Sequence, residues 1–146
     1  MRTLRYNYWA ILVLVLLGQI IPAIWYMAFS DRWLEYNNLT LQEAESVGSA
    51  PYITAVITSV AHALVLAWLF KRMKIESAVE GLKTAVIMGI PFSLLNHMTV
   101  NMFSLRPYPL TWIEGGADLS IWAAMGLILG GWLRYKPETG ADQVAA

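Results

Sequence analysis

No cysteine occurs in the 146-residue chain, which excludes disulfides, thiolate nucleophiles and zinc–thiolate sites and leaves the redox compartment unreadable. Charge is scarce as well. Asp, Glu, Lys and Arg make up 14% of the residues, against roughly 25% in a soluble domain, and the formal net charge is zero. A neutral chain has no electrostatic footprint for nucleic acid. Histidine is limited to His62 and His97, and neither stands in a His-x-x-His or Glu-x-x-His spacing that would put two strong ligands on one helical face. Gly-rich phosphate loops, cofactor fingerprints and activated-nucleophile motifs are missing too. The expectation is a non-enzymatic protein with no cofactor and no metal.

What the chain has instead is hydrocarbon. Hydrophobic residues reach 58%, gathered in four blocks at Tyr8–Phe29, Tyr52–Phe70, Ala85–Phe103 and Trp112–Leu133. Each is about 20 residues long, the length of helix that crosses the apolar core of a bilayer. Lipid offers no hydrogen-bond partners, so such blocks must be helices or closed-barrel strands, and the lack of period-2 alternation leaves helix. Arg2 and Arg5 before the first block, with Ala28-Phe29-Ser30 after it, mimic a signal peptide, but the apolar run is too long and reads as an uncleaved span. The chain reads as one all-α domain over residues 1–146, a transmembrane four-helix bundle, with a polar, mobile tail at 137–146.

Sidedness follows from the basic residues. Arg2, Arg5, Lys71, Arg72, Lys74, Lys83, Arg134 and Lys136 fall on one side and only Arg32 and Arg106 on the other. That asymmetry predicts both termini in the cytoplasm. Aromatic belts agree, with Tyr6, Tyr8, Trp9, Trp68, Trp132 and Tyr135 inside and Trp25, Tyr26, Trp33, Tyr52, Tyr108 and Trp112 outside. Trp122 alone falls at mid-span and needs a partner for its indole N–H.

Helix starts carry local signatures. Thr40-x-x-Glu43, Ser77-x-x-Glu80 and Thr111-x-x-Glu114 each fit a capping box, and Pro51 suits a first turn. The first outer loop, 30–51, is therefore expected to hold a short interfacial helix from Leu41 to Ser46. Tight links at 73–77 and 105–110 make helices 2, 3 and 4 sequential antiparallel neighbours. Pro22 and Pro91 are expected to kink helices 1 and 3. Gly126-x-x-x-Gly130 permits close helix approach, within the bundle or between protomers.

Arg106-Pro107-Tyr108 leading into Gly115-Gly116, then Met125-Gly126, Gly130 and Trp132, resembles a known family, as do Pro22-Ala23-Ile24-Trp25-Tyr26 and Leu39-Thr40. The family is domain of unknown function 1761, small four-helix bacterial membrane proteins. The resemblance covers roughly Trp9 to Trp132 and implies a four-helix architecture in a bacterial inner membrane, and no activity. The family pattern tends to Asn where this chain has Glu114 and rarely has an acid at Asp118, so a role for that acid pair would be particular to this protein.

Ionisable groups within spans are rare and are the natural site candidates. Here they are His62, His97, Glu114 and Asp118, with Gln19, Asn96 and Asn101 nearby. Glu114 reads first as the third residue of the Thr111 capping box, and Gln19 and His62 as a mid-membrane hydrogen-bonded pair between helices 1 and 2. His97 and Asn101 share one face of helix 3, and Glu114 and Asp118 one face of helix 4. Counting equally outward from the Pro107–Tyr108 turn sets Asn101 level with Glu114 and His97 level with Asp118. The cluster is expected to be a stabilising clasp or a proton or cation site opening outward, guarded by Arg32 or Arg106. Two functions stay open: a homo-oligomer or accessory subunit of a larger membrane complex, partnered by the bilayer and other membrane chains, or a small transporter or proton/cation-coupled channel.

Overall fold

The computed structural model describes residues 7–132, and every regular element among them is helical. Four rods are long and apolar enough to cross a membrane: α1 (Tyr8–Ala28), α4 (Ala50–Met73), the continuous pair α5 (Ala78–Gly89) and α6 (Leu95–Phe103), and α7 (Tyr108–Gly131). Two short helices, α2 (Ser30–Asn37) and α3 (Leu41–Glu45), fill the connection between α1 and α4. The protein is a membrane-spanning all-α chain.

Caps, rather than hydropathy, set where the rods begin. The side chain of Asn7 accepts from the Ala10 N–H at 3.2 Å to start α1, while its amide donates to the Trp132 carbonyl at 2.9 Å, tying the first helix to the end of the last. Ser77 accepts from the Glu80 N–H, so α5 starts at Ala78, well before the apolar block. Glu80 completes its own bond with the Glu76 N–H and not with Ser77. Pro51 stands in the first turn of α4. At the far end of α4, Lys74 takes a left-handed φ of 56° and the Ile75 N–H returns to the Phe70 carbonyl, burying Ile75 in the core.

Several expectations are corrected. Thr111 does not cap: Pro107 precedes the first turn of α7, Tyr108 begins it, and the Thr111 hydroxyl is buried inside the helix without a hydrogen-bond partner among the described residues. The outer connection holds α2 as well as the expected helix at Leu41, which ends at Glu45 with Ser46 as its cap. α4 rests chiefly on α1 and only slightly on α5, which it meets where the Phe70 ring lies against Gly81. Pro22 leaves α1 unbroken. Pro91 does interrupt its rod: lacking an N–H, it sits in a wide π-turn at Ile90–Leu94, which α6 leaves when the Leu95 N–H reaches the Ile90 carbonyl. Leu133, Tyr6, Tyr135, the four basic residues Arg2, Arg5, Arg134 and Lys136, and the 137–146 tail lie outside the described residues.

α7 is the central rod, packed against α5, the π-turn, α6 and α1. Its tightest contact is with α5, where Gly126 and Gly130 face Gly81, Ala85 and Ser77. A Cβ on Gly126 would lie 2.5 Å from the Gly81 carbonyl oxygen, and one on Gly130 would lie 2.5 Å from that of Ser77. The glycine face is thus used within the chain. Leu14, Ala63, Leu66, Met125 and Leu129 complete the apolar core on that half. The half holding the 74–77 link, Asn7 and Trp132 is called the terminal side below, and the half holding α2 and α3 the long-loop side.

Candidate functional site

The long-loop half of the α6–α7 hairpin carries the ionisable groups. α6 is a regular helix, so His97 and Asn101 stack one turn apart; α7 does the same for Glu114 and Asp118. The structure brings the four together. His97 Nε2 lies 3.0 Å from Asp118 Oδ2, and the Asn101 amide donates to Glu114 Oε2 at 2.9 Å. The other imidazole nitrogen, Nδ1, is 3.6 Å from the same Glu114 oxygen, so the ring bridges both carboxylates. Asn101 is fully buried and Glu114 nearly so, at 13% exposure, whereas Asp118 keeps 37% of its side chain exposed.

Aromatic side chains roof the cluster from α1 and α2. Tyr26 and Trp33 meet edge to face with centroids 5.9 Å apart, and Trp33 sits beside Glu114. Trp25 donates its indole N–H to the Ile113 carbonyl at 2.9 Å and lies against Gly116, where a Cβ would be 3.0 Å from its ring. These residues read from sequence only as an interfacial belt. The part of Trp33 in the site depends on α2, for which composition carries no signal.

The outer arginines do not join the cluster. Arg32 pairs with Glu35 on its own helix at 3.0 Å, both side chains well exposed, and Arg106 sits on the exposed α6–α7 turn. Nor does the Gln19–His62 pair form. Gly18 lets α4 come so close to α1 that a Cβ there would overlap the Ser59 hydroxyl, so Gln19 meets Ser59 first, donating to its Oγ at 2.7 Å and to the Ala55 carbonyl at 3.3 Å. His62 instead meets Trp122 at a tilt of 46°, ring centroids 5.2 Å apart. The Trp122 indole donates to Ser93 Oγ at 2.9 Å, the partner its depth required. Ser93 is reached only because the π-turn rotates it inward.

A cleft of about 560 Å³ opens between α1, α4 and α7 on the long-loop half. Gly18, Pro22 and Ile121 line it on one wall, Thr54, Thr58 and His62 on another, and Asp118 contributes to its floor. The sequence carries a signal for the second wall in the i,i+4,i+8 spacing of those three polar residues. Asp118 therefore has two environments, the imidazole of His97 and the open cleft. Chemically the cluster can hold a proton among two carboxylates and an imidazole, or neutralise a cation. No group of three His, Cys, Asp or Glu side chains suited to a metal ion occurs among the described residues.

A family profile described as Protein of unknown function (DUF1761) matches residues 9–130. No curated protein and no solved structure matches the chain.

Proposed function

The chain belongs to the family described as Protein of unknown function (DUF1761), and we propose that it works there as a small proton- or cation-coupled membrane transporter centred on Asp118. One observation carries the reading: the carboxylate that pairs with His97 also lines an open cleft. An ionisable side chain within a span is costly, about 2.5–3.5 kcal/mol for Asp at a helix centre on insertion scales. A group held only for stability would be enclosed by its partners, as Asn101 and Glu114 nearly are. Asp118 is exchangeable from one side while its charge is balanced from the other, which is what coupling a proton or cation to a ligand requires. Access is one-sided, because Leu14, Leu66 and Met125 pack without exposure on the terminal half. Between the halves stands the π-turn at Ile90–Leu94, where the rod carrying His97 has its weakest ladder.

Assembly with a second copy or with other membrane subunits is the companion reading. It is supported by α4, whose residues 50–58 are exposed all round, so that a pathway through so small a protein would be completed by a neighbour. A bacterial inner-membrane location with cytoplasmic termini goes with the proposal, supported by Lys71, Arg72, Lys74 and Lys83 around the 74–77 link.

Purified protein in sealed liposomes under an imposed proton gradient tests the reading. Wild type should dissipate the gradient faster than protein-free vesicles, and Asp118→Asn should lose that activity with unchanged helix content. Flux in Asp118→Asn equal to wild type would overturn it. Gentle-detergent purification then reports whether foreign chains or further copies travel with the protein.

A further inference from the structure

We propose that the cleft between α1, α4 and α7 binds an amphiphilic organic ammonium ion, its N–H donors set among Asp118, Thr58 and His62 and its apolar body against Gly18, Pro22 and Ile121. The inference rests on the reading of Asp118 as a working group and names the class of ligand that would reach it.

Three faces of α4 give the first argument. Ser59, Ala63, Leu66 and Phe70 are buried against the bundle. Ile53, Ile57, Val60 and Leu64 recur at helical spacing as an exposed apolar stripe, suited to lipid. Thr54, Thr58 and His62 form a third stripe, polar and turned into the cleft. Hydrogen-bond accounting then separates its members. Thr54 donates to the Ala50 carbonyl at 3.0 Å and is satisfied. Thr58 and His62 make no hydrogen bond to any described residue, and His62 lies beside the Trp122 ring. Asp118 gives Oδ2 to His97, which leaves its second oxygen without a partner among the described residues. At bilayer depth such groups call for donors, and all three can accept an N–H.

Charge selects the sign of the ligand. Two carboxyl groups, Glu114 and Asp118, face one imidazole, so with both ionised the cluster is net negative in either state of His97. The two arginines of this half lie elsewhere, as shown above. Size and lining select its form. About 560 Å³ lies within the range of small-molecule sites and far exceeds the roughly 30 Å³ share of one water. From Pro51 to His62 the lining runs about 16 Å along α4 by helical rise. A bare cation would leave the apolar walls uncovered, whereas an ammonium on a hydrocarbon body meets both.

Such an ammonium could be free or belong to an aminophospholipid. The test is equilibrium binding of 4-phenylbutylamine and of its uncharged N-acetyl derivative to the full chain in phosphatidylcholine nanodiscs. Wild type should bind the amine about 10- to 100-fold more tightly than the amide, the ratio expected of one hydrogen bond to a charged group. Asp118→Asn should abolish that preference. Thr58→Trp, which fills the cleft from an exposed position, should abolish amine binding while helix content and elution stay unchanged. Adding phosphatidylethanolamine distinguishes the sources: displacement of the probe assigns the site to a lipid amine, and no displacement to a free one. Equal binding of amine and amide, undiminished binding in Thr58→Trp, or no saturable binding to folded wild type would overturn the proposal. Proton flux persisting without amine binding would overturn this inference and leave the transport reading standing; amine binding without flux would do the reverse.

Discussion

On the terminal side α5 and α7 meet backbone to backbone, while on the long-loop side α6 and α7, one rod further along, meet through ionisable side chains. The first contact uses Gly81, Ala85, Gly126 and Gly130, residues with no rotamers to order and no volume to spare. The second uses His97, Asn101, Glu114 and Asp118, whose strength depends on partners and whose outer member remains open to a cleft. Close backbone packing makes one half stiff. Polar pairing beside an open cleft leaves the other half able to exchange ligands. The π-turn at Pro91 falls at the join between them.

The comparison breaks most easily at the glycines. Gly81→Leu or Gly126→Leu should cost about 3 kcal/mol or more, or prevent folding outright, because each new Cβ meets backbone and not a side chain that can swing away. Thr58→Leu, exposed on the cleft wall, should stay within about 0.5 kcal/mol. Denaturant unfolding of purified protein measures both; comparable losses would mean the halves do not differ as described.

A smaller loss is expected at Asn101, which is 1% exposed and donates to Glu114. Asn101→Ala leaves the carboxylate its longer contact with His97 and its neighbour Trp33, and should cost about 1–3 kcal/mol. The sign reverses at Thr111. Its buried hydroxyl has no hydrogen-bond partner among the described residues, so the isosteric Thr111→Val should gain about 1 kcal/mol in the same assay.

The smallest effect belongs to the loop. The Thr40 N–H and hydroxyl both donate to Glu43, holding its carboxyl below the ordinary 4.5. A depressed folded value means the frayed loop binds protons more readily than the ordered one. The stabilisation is therefore complete above pH 4.5 and disappears as pH falls through the lower folded value. Amide protection across 40–46, corrected for the intrinsic pH dependence of exchange, should fall in that window in wild type, and by less in Thr40→Ala, which keeps the backbone N–H bond and loses the hydroxyl one.

Much of this architecture was legible residue by residue. Bilayer thickness dictates the length of an apolar block, so four spans follow from four blocks. Thr40 and Ser77 cap because their bonds reach only three residues ahead. An antiparallel hairpin of fixed rise permits one register, which is how counting from the Pro107–Tyr108 turn set His97 level with Asp118. α2 was less legible: eight residues, all but Leu34 polar or aromatic, whose helix is held by its packing on α7, have no strong local signal.

What the sequence determined by itself is thus everything that depends on rise, periodicity and neighbours within a turn: the spans, most caps, and the depth of each polar group. Lateral placement was decided only in three dimensions. That α4 leans on α1 and leaves α5, that Gln19 finds Ser59 before His62, and that Asp118 opens into a cleft all depend on which small residue lets which backbone approach. Gly18, Gly81 and Gly126 permit such contacts equally in a one-dimensional reading. Only the summed packing of four rods, with each face competing for the same neighbours, chooses among them.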